Sequence, residues 1–130
     1  MTSVVLDASA VIALLRSEPG CDIVRSAASD AMITAVNYSE VLKKTIERGG
    51  TGDAAASFVR GLSIVIIPFD HALAAVSAEL YLQTKEHGLS LADRACLALG
   101  IQRNCKVLTS ERRMALPTLS IKVKLIRSAH

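Results

Sequence analysis

Three carboxylates stand where helices are expected to begin: Asp7 directly after the β-branched run Val4 to Leu6, Glu40 three residues after Asn37, and Asp93 three after Ser90. An Asp at such a place is an ordinary N-cap. The Asn37–Glu40 and Ser90–Asp93 spacings also fit a capping box, in which the acid reaches back to the backbone N–H of the cap. Capping and chemistry both stay open for each residue. Free N–H groups at a helix start favour the ionised carboxylate, and isolated Asp and Glu titrate near about 3.9 and 4.3. Gathered within a small cleft, the three acids would repel one another, and a cation relieves that repulsion. Oxygen-only donors suit Mg²⁺ or Mn²⁺. His71, His87 and His130 lack the H-x-x-x-H spacing of zinc hydrolases. Cys21, Cys96 and Cys105 are odd in number without a C-x-x-C pair, and read as reduced, mostly buried thiols.

The elements that must position these acids alternate. Val4 to Leu6 reads as a strand and Ala8 to Arg16 as a helix stopped by Glu18-Pro19-Gly20. A helix over Asp22 to Ser29, a strand over Met32 to Ala35, and a helix from Tyr38 to Arg48 closed by Gly49-Gly50 follow. Gly52-Asp53 starts another helix through Arg60. Ser63 to Ile67 reads as a strand buried on both faces, and Asp70 to His87 as one helix with Leu73, Val76 and Leu80 on a single face, ended by Gly88. Ser90 opens a helix through Asn104; Lys106 to Thr109 and Leu119 to Ile126 are the last strands. Such alternation predicts an α/β fold with a mainly parallel sheet, helices on both faces, and a crevice at the carboxyl ends of the strands.

The 130 residues, 51% of them hydrophobic, suit one domain over 1–130. No apolar stretch reaches the roughly 18 to 20 residues of a membrane span. The apolar run near the N-terminus has no preceding Lys or Arg and contains Asp7, so it reads as no signal peptide and a cytoplasmic location is expected. Net charge is only +3, yet residues 103–130 hold seven basic side chains against Glu111 alone, leaving the first 102 residues net acidic. That layout fits a protein gripping a polyanion and fits equally a solvated basic end.

The segments VVLDASAVIALL, VNYSEVL, LSLADRACLALG and VLTSERRM, in this order over nearly the whole chain, resemble a PIN domain of the VapC toxin type. The resemblance implies a three-layer α/β/α sandwich around a five-stranded sheet, a homodimer, and a Mg²⁺- or Mn²⁺-dependent endoribonuclease restrained by a cognate antitoxin. It maps the family's metal-site acids onto Asp7, Glu40 and Asp93. The fourth acidic position falls at Glu111, one methylene longer than the usual Asp. On this reading Asp7 and Asp93 ligate the ion directly, Glu40 ligates it or holds a water, and Glu111 supports the site or a second ion. Ser9 and Thr109 would position waters or phosphate oxygens, with a helix-capping role open for Ser9. Arg94, Arg112 and Arg113 would contact phosphates or form a solvated face.

Aromatic residues are scarce, 3% with no Trp. Base stacking is then a minor part of recognition, and a structured RNA such as tRNA or an rRNA loop is the expected substrate. The competing reading is a PIN-fold module that binds RNA or a partner without cutting. A phosphoryl-accepting domain with Asp7 as nucleophile would favour Asp-x-Asp, but Ser9 stands at the third place. The same acids could cut DNA.

Overall fold

The computed structural model describes residues 3–127. Its centre is β1 (Val4–Leu6), whose alternate side chains serve two cores: Val4 and Leu6 join one apolar cluster, Val5 the other. β2 (Ala31–Thr34) and β4 (Lys106–Thr109) flank β1 and repeat the division, Ile33 and Leu108 in the first cluster, Met32 and Val107 in the second. That is the period-two pattern of strands covered on both faces. β3 (Val65–Ile67) and β5 (Val123–Leu125) complete the order β3-β2-β1-β4-β5, with every pair parallel.

Parallel neighbours need crossovers, and helices supply them. α1 (Ala8–Leu15), α2 (Cys21–Ala27), α3 (Ala35–Glu47) and α4 (Gly52–Gly61) send Val11, Val24, Val41 and Val59 into the first cluster. α5 (His71–Glu79), the short α6 (Tyr81–Thr84) and α7 (Leu91–Arg103) cover the other face through Leu73, Leu97 and Leu99. Each such buried aliphatic side chain stabilises the fold by roughly 1.5–3 kcal/mol. The expected α/β/α sandwich is present, and its sheet is wholly parallel.

Four local expectations are corrected. The segment 63–67 is not covered on both faces: β3 is an edge strand paired with β2 alone, leaving Val65 and Ile66 55% and 40% exposed. The helix expected over 70–87 breaks at Leu80 into α5, α6 and a 3-10 turn at Lys85–His87. There the Thr84 hydroxyl bonds back to the Leu80 carbonyl at 2.8 Å. The last strand shrinks to Val123–Leu125, because residues around Pro117 turn instead, with the Leu119 N–H on the Leu116 carbonyl. Finally, α3 starts at Ala35, three residues before Tyr38, with Thr34 as its cap.

From β1 the chain winds outward through β2 and β3, then returns to the other side of β1 for β4 and β5. The order therefore reverses between β1 and β4, and a crevice opens beyond their carboxyl ends. α7 begins at this crevice and runs back along the sheet, pressed so close near its far end that a Cβ on Gly100 would stand 2.8 Å from Val107 Cγ2.

Candidate active site

Asp7 follows β1 at the reversal point, its N–H donating to the Leu108 carbonyl at 3.0 Å. It has the extended backbone of an N-cap, yet its side chain makes no cap hydrogen bond. Its carboxylate Oδ2 instead accepts from the Ser9 hydroxyl at 2.7 Å and the Thr109 hydroxyl at 2.8 Å. The same two hydroxyls fix the segment after β4: the Ser110 N–H donates to Ser9 Oγ and the Glu111 N–H to Thr109 Oγ1. Only 4% of Asp7 is exposed. Burial pushes its carboxyl above the ordinary value, the two hydroxyls oppose that shift, and the charge of Asp93 adds to it. Below both acids lies Cys96, whose thiol is pushed well up by burial and by the charges of Asp7 and Asp93. It remains a neutral, buried thiol.

Asp93 arrives from the start of α7 and does cap: the Ser90 N–H donates to its Oδ2 at 2.9 Å while its own N–H donates to Ser90 Oγ. The same Oδ2 lies 3.1 Å from an Arg113 guanidinium nitrogen. Arg113 comes from the 3-10 turn Arg112–Met114, donates to the Gly88 carbonyl at 3.0 Å, and passes 3.9 Å from the Glu111 carboxylate.

Glu40 is no capping-box partner. The cap of α3 is Thr34, which accepts from the Asn37 N–H, so Glu40 falls in the second turn and is free of any helix-start duty. Asn37 is buried and bonded on both sides, to the Thr34 hydroxyl and through Nδ2 to the Ala92 carbonyl at 3.0 Å. It ties α3 to the start of α7 and so spaces Glu40 from Asp93, a role its apparent cap position concealed. The cleft, about 100 Å³, is lined by Asp7, Ser9, Asn37, Glu40, Lys44, Ser90, Asp93, Glu111 and Arg113. Lys44 was missed as well, although it lies one helical turn after Glu40 on the same face.

The four acids named from the sequence thus share one cleft, and Ser9 lines it with them. Thr109 lies beneath, bound to Asp7. Two of the three arginines are elsewhere. Arg94 stacks over the Tyr81 ring at 5.7 Å and donates to the Leu89 carbonyl, and the exposed Arg112 does not line the cleft.

The family model of the PIN domain matches residues 4–117. The chain belongs to the PIN-domain family. Among solved structures, this PIN domain is similar to one in a toxin–antitoxin complex from Klebsiella pneumoniae, with a TM-score of 0.79 and 16% identity, covering 98% of this chain and 100% of the other. It is similar to one in the DNA-bound VapBC from Salmonella typhimurium, with a TM-score of 0.74, 13% identity, and 98% and 100% coverage. Mycobacterium tuberculosis VapC20, a sarcin-ricin loop cleaving toxin, gives 0.69 at 17% identity, covering 81% of this chain and 87% of that one. No curated protein matches by sequence. At these identities the likeness is one of fold.

The donors of this PIN domain suit a hard divalent ion by chemistry: carboxylates and serine hydroxyls around a cleft large enough for an ion with some of its water. They form no closed cage, since no three Asp, Glu, His or Cys among the described residues converge on one point. Mg²⁺ typically takes one or two carboxylates and keeps several waters, so an open site of this kind does not need such a cage. No helix among the described residues is long and apolar enough to cross a membrane.

Proposed function

We propose that this PIN domain is a Mg²⁺- or Mn²⁺-dependent endoribonuclease and the toxin of a toxin–antitoxin pair. The observation that carries the reading is Asp7, an ionisable group buried at the reversal point of the sheet with no side-chain capping bond, its carboxyl pushed up by that burial and further by the charge of Asp93. Its two hydroxyl partners also tie β1 to the segment after β4, but that linkage needs no charge, and perturbed acids in clefts are candidates for working sites.

Asp7 and Asp93 would hold the divalent ion. Bound there, the ion supplies an activated water and neutralises charge on the phosphoryl group. Ser9 and Thr109 hold the Asp7 carboxylate in one orientation, leaving it no freedom to turn toward the helix start. Glu40, unencumbered by capping, accepts a proton or a hydrogen bond from the attacking water. Lys44 and Arg113, from separate elements and both lining the cleft, would meet phosphate oxygens.

The test is incubation of the purified protein with total RNA and with DNA, in Mg²⁺, Mn²⁺ or EDTA, followed by mapping of the ends. Expected are discrete cuts in a structured RNA, a tRNA or rRNA loop, that vanish in EDTA. Intact RNA under every metal condition would falsify the enzymatic reading. Production of the chain alone is expected to slow bacterial growth, and a small antitoxin to relieve it by covering apolar surface and placing a basic side chain near the acids. The exposed Tyr81, Leu82 and Leu91 offer surface for such a partner or for a homodimer.

A second reading has an observation of its own. Asp93 has a complete capping box and an ion pair, which is all a structural Asp requires. That favours a PIN module binding RNA or a partner without cutting, and metal-dependent turnover separates the two.

A further inference from the structure

Arg113 occupies a peculiar position for a side chain meant only to reach substrate. Its guanidinium is anchored at three points from three parts of the chain: Asp93 Oδ2 at 3.1 Å, the Gly88 carbonyl at 3.0 Å, and the Glu111 carboxylate at 3.9 Å. Gly88 adopts φ +68, a left-handed conformation that glycine takes without strain, and closes the preceding 3-10 turn. The cleft lined by Arg113 is the one that brings Asp7 and Asp93 into repulsion. A guanidinium cannot shed its proton at working pH, so it is a permanent positive charge beside Asp93 and Glu111.

We propose that Arg113 is the resident cation of the acid cluster, holding it together in the metal-free protein and competing with the divalent ion for Asp93. The inference rests on the metal-dependent reading above. Two features make the contact an exchangeable one. The Arg113 side chain is 46% exposed while Asp93 is 9% exposed, so the arginine can swing into solvent and the acid cannot. An ion pair with one partner this exposed is weak, whereas a divalent ion brings twice the charge and direct ligation. Oδ2 of Asp93 already accepts from the Ser90 N–H, and that bond survives when the guanidinium leaves. Metal loading thus releases a cation at the lip of the cleft, where a phosphodiester backbone would approach.

The experiment is calorimetric titration of Mn²⁺ into wild type, Arg113→Gln and Arg112→Gln, with thermal melting of each in EDTA and in saturating Mn²⁺. Arg112 is exposed and outside the cleft, so its variant carries the same loss of charge without the contact. Arg113→Gln is expected to bind Mn²⁺ about tenfold more tightly than wild type, while melting lower than wild type in EDTA and level with it in Mn²⁺. Arg112→Gln should match wild type in Mn²⁺ affinity. A purely structural Arg113, one that only pins the 112–114 turn, predicts a lower melting temperature in both conditions and no gain in affinity, and that result overturns the proposal. If wild type binds Mn²⁺ and Arg113→Gln binds it no better, the resident-cation inference alone fails. If neither protein binds Mn²⁺, the metal-dependent reading fails with it.

Discussion

The junction of β1 with α1 and the start of α7 each deliver one aspartate to the same cleft, and the two are held in opposite ways. Asp93 is embedded in local structure, satisfied by Ser90 within its own capping box and by Arg113. Asp7 sits at a cap position without a side-chain capping bond, and its partners Ser9 and Thr109 serve the cleft and the segment after β4. Desolvation and the neighbouring charge act against an ionised Asp7. A burial that disfavours the ionised acid points to a use outside folding, whereas the contacts of Asp93 would account for its place in the fold whether or not it also holds the ion. The contrast separates what each residue does for the fold from what it does for the chemistry.

The largest expected effect erases the difference. If both acids hold one ion, Asp7→Asn and Asp93→Asn should each lower metal-dependent RNA cleavage by more than ~100-fold, since even groups supporting metal ligands cost 10–100-fold. Initial rates on a mapped substrate, with folding checked by circular dichroism, measure this. Near-wild-type turnover in a folded Asp93→Asn sample would leave Asp93 as a cap and nothing more.

In stability the two should part. Without metal, Asp7→Asn keeps the shape and an acceptor for the two hydroxyls while removing a buried charge, so its melting temperature in EDTA should rise. Asp93→Ala loses the N3 half of the capping box and should destabilise by about 1 kcal/mol, a fall of a few degrees at this size. A large fall for Asp7→Asn would mean that its charge is structural after all.

The pH dependence sharpens the same point. A carboxyl whose folded pKa is raised favours the folded state fully below its unfolded value, near about 3.9, and that advantage is lost as pH rises through the folded value. The metal-free wild type should therefore lose stability relative to Asp7→Asn as pH climbs above about 4, the gap levelling off once Asp7 is ionised in the folded protein. Melting curves of the pair in EDTA across this range test it; a gap independent of pH removes Asp7 titration from the account.

Much of this was legible in sequence because strong local signals agreed with the fold. The run Val4–Leu6 and the centre of Lys106–Thr109 are short and apolar, and buried parallel strands carry that pattern. Ser90 and Asp93 form a box that the spacing alone announces. What escaped was set by neighbours distant in sequence. Val65 and Ile66 read as core because nothing in the chain says which strand ends up at an edge. Asn37 looked like a cap because Asx residues favour that position, but Thr34 three residues earlier took the role and the Asn turned to the Ala92 carbonyl, 55 residues away. The ion pair of Arg113 with Asp93 spans two elements that only the completed sheet brings together.

Glu111 extends the comparison to a third acid and should show the smallest effect. Unlike Asp7 and Asp93 it is on no strand end or long helix, and it precedes a three-residue 3-10 turn with its side chain 43% exposed. Its backbone is nevertheless fixed, because the N–H is bound by the same Thr109 hydroxyl that holds Asp7. A firm backbone and a loose carboxylate suit a group that steadies water or Arg113 rather than one that grips an ion. Glu111→Gln should then slow cleavage no more than about tenfold, within the 10–100-fold range of groups that act through ligands. Glu111→Asp should retain more activity than Glu111→Gln, since charge matters here more than reach. Rates against Mg²⁺ and Mn²⁺ concentration decide it. A loss as large as that of Asp7→Asn, relieved by raising the metal concentration, would make Glu111 a ligand in its own right, and the rigid pair would have a mobile third member.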